Sequence, residues 1–208
     1  SYSQFYTTIF NACFPNTGDK YRVTGMPRND LLFEKGSIGK LERVCNRKLN
    51  KYNIVFYLPT WRKGKNNVIE TNKQWNKLFG FVDEDYTMII KMLEENNIFL
   101  VVKLHPFEFN MYKNLEIFSY ERIHLLDEAT LINNKIHLYE LLPSAKILIT
   151  DYSSVYFDTL LIDLPIIFAP TDLDEYSENR GFLLEPYDYL TPGPTVFSLN
   201  EMGREISN

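Results

Sequence analysis

The chain has 208 residues, a formal net charge of −5, 45% hydrophobic residues and 15% aromatic residues. That length fits one large domain or two small ones with a buried core. The acidic balance argues against nucleic acid as a partner, no apolar run is long enough to cross a bilayer, and Cys13 and Cys45 lack metal or redox spacing, which favours a reducing compartment.

Residues 1–19 read as an aromatic, helix-like segment closed by a Pro15-Asn16-Thr17-Gly18-Asp19 turn. The start is polar, carries no signal peptide and does not begin with Met, so a piece of a longer protein is expected. Tyr21 to Thr24 is a strand candidate that breaks at Gly25-Met26-Pro27-Arg28-Asn29-Asp30, a rigid turn with a helix cap. Residues 37–50 place Leu41, Val44 and Leu49 near helical spacing, and Ile54 to Leu58 is an apolar strand stopped by Pro59-Thr60-Trp61-Arg62. The polar run 63–76 reads as a loop. Tyr86, Ile89, Ile90 and Leu93 recur at helical intervals within 83–97, and a strand follows over 98–104. A second cycle predicts a strand at His124 to Leu126, a helix near 135–142, a strand over 146–150, a helix over 153–163 and a strand over 165–169. Strands alternating with helices predict an α/β, Rossmann-like doubly wound parallel sheet. A single domain is expected over 1–208, with an irregular tail over 185–208 marked by Pro192-Gly193-Pro194.

The strand Ile147-Leu148-Ile149-Thr150 stops abruptly at Asp151-Tyr152-Ser153-Ser154, and an amphipathic segment follows. A helix N-terminus presents unpaired N–H groups and a partial positive charge, and two hydroxyls there suit phosphate oxygens. Asp and Ser are also ordinary N-caps, so capping stands as the alternative. A second strand end tips the balance: Lys103-Leu104-His105-Pro106 brings a cation and an imidazole to the carboxyl edge, where open parallel sheets bind ligands. His105 would counter charge on a leaving phosphate; a structural histidine is the alternative. Arg62, at another strand end, suits a diphosphate through its two-pronged guanidinium, or is a surface arginine. Asp158 shares a helix face with Ser154, where it would orient a hydroxyl or an amide, or is solvated. Asp172, Asp174, Glu175 and Glu178 follow the last strand, either as acceptors for ribose hydroxyls or as a solvated loop. No Gly-x-Gly-x-x-Gly, no Gly-Lys-Ser/Thr and no His/Asp/Glu cluster with ligand spacing is present, which argues against dinucleotide, triphosphatase and metal sites.

Gly25-Met-Pro-Arg-Asn-Asp30, Leu58-Pro-Thr-Trp-Arg62, Lys103-Leu-His-Pro106, Thr150-Asp-Tyr-Ser-Ser154 and Glu178-Asn-Arg-Gly-Phe182 stand in one order over roughly residues 20 to 200. That set resembles the CDP-glycerol glycerophosphotransferase family, the teichoic-acid and capsule polymerases with a two-domain GT-B fold. The resemblance implies the C-terminal, donor-binding half of that fold. The implied reaction transfers glycerol phosphate (or ribitol phosphate) from a CDP-alditol to a polymer hydroxyl, releasing CMP. Ser153 and Ser154 would hold the diphosphate, His105 would stabilise the departing phosphate, and Arg62 and Lys103 would supply positive charge in place of a metal, with no cofactor. Asp151, Asp158, Glu178 and Arg180 would lie on the nucleotide side. The family's further catalytic His, in a Thr-Trp-His-Gly-Thr-like segment, has no counterpart in residues 1–24. The acceptor-binding amino-terminal domain, with its polymer or lipid-linked acceptor, would therefore lie outside this chain, and this piece alone would be inactive. Family enzymes work in the cytoplasm, peripheral at the inner face of the bacterial plasma membrane. The alternatives are a CMP-sugar-dependent, sialyltransferase-like glycosyltransferase, which shares the two phosphate motifs, and a non-catalytic α/β domain.

Overall fold

Five apolar runs pair as parallel strands in a computed structural model that describes residues 1–14, 20–62, 77–182 and 184–208. They are β1 (Asn53–Leu58), β2 (Ile98–Val102), β3 (Ile123–Leu125), β4 (Ile147–Thr150) and β5 (Ile166–Phe168), in the order β3-β2-β1-β4-β5. Register is fixed at the centre by Val55 beside Leu100 and by Tyr57 beside Ile149. All five residues of β2 and five of the six in β1 are buried, as expected for strands covered on both faces.

The period-two alternation divides the core in two. Ile54, Phe56 and Leu58 face one layer, and Val55 and Tyr57 face the other. The first layer is closed by α2 (Ser37–Cys45), α5 (Glu128–Asn134), α6 (Leu138–Leu141) and α7 (Val155–Thr159) through Leu41, Leu131, Tyr139 and Tyr156. The second is closed by α3 (Tyr86–Glu95), α4 (Pro106–Tyr112) and α9 (Leu199–Ser207) through Ile89, Tyr112 and Met202. An aromatic helix, α1 (Gln4–Cys13), buries no side chain, and α8 (Leu173–Asn179) follows β5. The doubly wound sheet is therefore as expected.

Four local expectations differ. Residues 21–24 are not a strand; Thr24 N–H donates to the Ser1 carbonyl and finds no sheet partner. The helix expected over 153–163 is α7, followed by a 3-10 turn over Leu160–Ile162. Pro165 disfavours helical backbone at its predecessor, and Asp163 ends the segment in the left-handed region at φ 51°. Between β3 and β4 two helices stand where one was expected, since Lys135 turns left-handed at φ 54° and separates α5 from α6. The tail is not irregular throughout. Ser198 caps α9 by accepting from the Glu201 amide, Asp83 accepts from the Leu199 amide, and Leu199 and Met202 pack under α3. The turn at 15–19 and the loop at 63–76 lie outside the described residues.

Candidate functional site

Strand order reverses between β1 and β4, since the chain leaves β3 at one edge and re-enters beyond β1. In open parallel sheets that point opens a crevice at the carboxyl ends of the strands. Here it is a cleft of about 430 Å³. Residues 58–61 after β1, 103–106 after β2 and 152–155 after β4 line it, with Leu138 from α6. The structure thus brings Lys103, His105, Ser153 and Ser154 onto one cavity. A wider groove, about 840 Å³, runs between α3 and α9 and contains none of the motif residues.

His105 is the N-cap of α4, where Pro106 at the first helical position gives up no needed N–H. Its Nδ1 accepts from the Phe107 amide at 3.4 Å, so the neutral ring carries its proton on Nε2. The ring stacks on Trp61, with centroids 5.0 Å apart and planes 20° from parallel. Partial burial, then the Lys103 charge, hold its pKa below the usual histidine value. At neutral pH it is a neutral N–H donor. Lys103 is largely buried, and its Nζ meets the half-exposed Glu128 carboxylate at 2.8 Å, a pair that an incoming phosphate can outcompete.

Ser154 occupies the N-cap position of α7 but makes no side-chain cap bond. Among the described residues the Ser153 and Ser154 hydroxyls have no partner, and their amides have no acceptor. The capping alternative therefore fails at the one place where the sequence left it open. With only five residues, α7 adds little dipole; two hydroxyls and two amides are what the turn offers an anion.

Other expected residues take different places. Arg62 has no exposed surface and does not reach the cleft. Its Nη2 donates to Asp151 at 2.8 Å, its Nε to Asp172 at 2.7 Å, and its Nη1 to the Thr60 carbonyl. Burial alone would lower its pKa; the two carboxylates more than reverse that and raise it. With its donors so occupied, Arg62 is a buried strut rather than a phosphate ligand. Asp151 is 1% exposed and accepts from the Thr60 and Tyr152 amides as well as from Arg62. It ties the β1 loop to the β4 loop and does not line the cleft. Asp172, read as a ribose contact or a solvated residue, is the other carboxylate of this strut, also bound by the Tyr152 hydroxyl at 2.9 Å.

Asp158 is likewise neither a cleft residue nor solvated. It is 2% exposed on α7 and binds Arg28 Nη2 at 2.9 Å, Asn29 Nδ2 at 3.1 Å and the Tyr139 hydroxyl. That contact explains the Pro27-Arg28-Asn29-Asp30 motif, whose 3-10 turn (Pro27–Phe33) is pinned to the sheet through α7. Glu178 is exposed on α8 and does not line the cleft. Arg180 lies outside the cleft lining too, with Nη1 donating to the Trp61 carbonyl at 2.8 Å. Trp61 and Tyr152, passed over in the sequence, both line the cleft; their signal was an aromatic immediately beside each motif's charged residue.

Among the described residues no group of three or more His, Cys, Asp or Glu is arranged to hold a metal, and no helix is long and apolar enough to cross a membrane.

A parallel sheet in this order, covered on both faces and open at the switch point, is a Rossmann-like domain of the kind that forms half of a GT-B fold. The chain belongs to the CDP-Glycerol:Poly(glycerophosphate) glycerophosphotransferase family, whose model matches residues 1–208. It is 32% identical over 201 residues to a teichoic acid glycerol-phosphate transferase of Staphylococcus aureus, covering 91% of this chain and 45% of that protein. It is 30% identical over 204 residues to a teichoic acid glycerol-phosphate primase of Bacillus subtilis, covering 98% of this chain and 47% of that one. The solved wall teichoic acid polymerase TagF superposes with a TM-score of 0.70 at 25% identity, covering all of this chain and 48% of that one. The chain spans less than half the length of these relatives. Family membership does not favour the sialyltransferase-like or the non-catalytic alternative.

Proposed function

We propose that this domain holds a CDP-alditol in the switch-point cleft and serves a glycerophosphotransferase of teichoic-acid-like or capsular polymer synthesis. The observation that carries the reading is the convergence of His105, Lys103, Ser153 and Ser154 on one cavity. Two hydroxyls and two amides without partners, one N–H of a neutral imidazole and one ammonium form a donor set for a pyrophosphate. The acceptor hydroxyl attacks the β-phosphorus in line. Its O–P bond forms as the bridging P–O bond breaks, and that electron pair leaves on the CMP phosphate, where the His105 Nε2–H stabilises it. The acceptor's proton goes to a base on the acceptor side, outside these four groups. Lys103 supplies the positive charge, so we propose that the reaction needs no metal. Glycerol and ribitol donors share the pyrophosphate that this cleft would grip. We place the reaction on the cytoplasmic face of the plasma membrane, with peripheral attachment; fractionation of cells checks that placement.

Calorimetric titration with CDP-glycerol and CMP tests the reading. Removing a hydrogen bond to a charged group costs about 1.5–3 kcal/mol, so His105→Ala and Ser154→Ala should each weaken CDP-glycerol roughly 10- to 100-fold. A folded chain that binds neither nucleotide sinks the proposal. Preference for a CMP-sugar in a donor panel would transfer the cleft to the glycosyltransferase alternative.

A further inference from the structure

Local contacts hold the histidine of this cleft only loosely: the tilted ring of the exposed Phe107 lies 5.2 Å away. The His105 Nδ1 contact to the Phe107 amide is long, at 3.4 Å, and Pro106 fixes the backbone but leaves the ring free to turn about its own side-chain bonds. The planar contact with Trp61 supplies the missing restraint. Trp61 is in turn held from outside its own loop. The Arg180 guanidinium lies 5.2 Å from the indole centroid while its Nη1 bonds the Trp61 carbonyl. Arg180 closes the C-terminal end of α8 and also lies 5.4 Å from the Tyr176 ring.

The opposite end of α8 grips the same dipeptide. Asp172, at its N-cap position, binds Arg62 through Nε and Nη2. Both ends of one helix are therefore fastened to residues 61–62, one by a buried ion pair and the other by a cation–π contact plus a hydrogen bond. The span of α8 fixes where Trp61 stands, and Trp61 fixes the imidazole plane.

We infer that Arg180 and Trp61 are positioning residues for His105: Arg180, outside the cleft, acts on the donor only through Trp61, and Trp61, which also lines the cleft, holds the imidazole plane. The inference rests on the proposed role of His105 in the cleft, and it reassigns Arg180 from a donor contact to a clamp.

The test reads the clamp and the ligand separately. Ring protons of His105 in proton–carbon NMR spectra carry the shielding of the stacked indole. Trp61→Leu should move them toward the free-imidazole position, Arg180→Gln should move them part of the way, and Arg180→Lys, which keeps the cation, should restore most of the shift. CDP-glycerol affinity should fall about three- to tenfold in Trp61→Leu and Arg180→Gln, roughly what one exposed cation–π contact is worth, with the thermal midpoint lowered by only a few degrees. Unmoved ring signals in Arg180→Gln overturn the clamp, and if affinity still falls, Arg180 touches the donor itself. If His105→Ala binds CDP-glycerol as tightly as wild type, the proposed function of His105 fails instead, and the ring signals still decide whether the clamp exists.

Discussion

Two aspartates close on one guanidinium beneath the cleft, with the rings of Tyr152 and Tyr176 against it at 4.9 and 5.5 Å. Burying three charges costs several kcal/mol per ion, and the arrangement survives because the partners are mutually satisfied. The Arg62 amide is used as well, donating to Glu108 of α4 at 2.8 Å. The strut thus touches the loops after β1, β4 and β5 and the helix that begins at His105. Taking out the cation leaves Asp151 and Asp172 facing each other without compensation. Arg62→Met is expected to cost about 3–5 kcal/mol, the usual range for breaking a buried pair from one side. Arg62→Lys should recover little of it, because an ammonium cannot reproduce the guanidinium's fork. Glu128→Gln, by contrast, removes an exposed partner of Lys103 and should cost under about 1 kcal/mol. Urea denaturation of the three variants checks this ordering; an Arg62→Met chain as stable as wild type would refute the strut.

Pro192-Gly193-Pro194 shows how an element can be hidden by its own composition. Prolines mark irregular structure in sequence, yet this segment pairs with the outer edge of β5: Phe168 N–H donates to the Pro194 carbonyl, and Val196 N–H donates to Phe168, each at 2.8 Å. Pro is tolerated there because an edge needs only some of its N–H groups. Gly193 packs flat on the strand, where an added Cβ would collide with the Ile166 carbonyl oxygen. The obstacle is backbone, so Gly193→Ala should destabilise by about 1–3 kcal/mol or more, read as a drop in the urea midpoint with α9 losing its anchor. The same logic sorts what was legible. Strands buried on both faces announce themselves as unbroken apolar runs, as β1, β2, β4 and β5 do, whereas the edge strand β3 is interrupted by His124 and half-buried. Helices α4 and α5, seven residues each, are too short to display a 3.6-residue period. His105 and the two serines were readable because strand ends fix their place. The burial of Arg62 and Asp158 was not, since their ion-pair partners lie 89 to 130 positions away in sequence. α9 carried a readable Ser198-x-x-Glu201 signature that the preceding Pro-Gly-Pro obscured.

Across the whole molecule the histidines tie stability and ligand binding to pH with opposite signs. Burial, then the Lys103 charge, lower the pKa of His105; burial is the main cause for His124, aided by Arg47 and opposed by Asp127. Both folded values lie below the unfolded value of about 6.5. Between those limits the unfolded chain binds more protons, so stability rises with pH there. It is at full value above about pH 6.5 and declines as the pH falls through the folded pKa values. Glu84 works the other way, since burial raises its carboxyl despite the Leu78, Phe79 and Gly80 amides, which favour the anion. The thermal midpoint should therefore drop on mild acidification, and His124→Gln should flatten that drop. A pyrophosphate beside His105 reverses the local preference, because an adjacent anion favours imidazolium. Binding must then raise the His105 pKa, and linkage requires CDP-glycerol affinity to grow as pH falls from the bound-state value toward the free-state value while the fold itself weakens. Titrations at a series of pH values, kept above the onset of acid unfolding, should show that growth in the wild type and lose it in His105→Gln. An affinity that stays flat with pH in the wild type would mean that the imidazole does not face the phosphates.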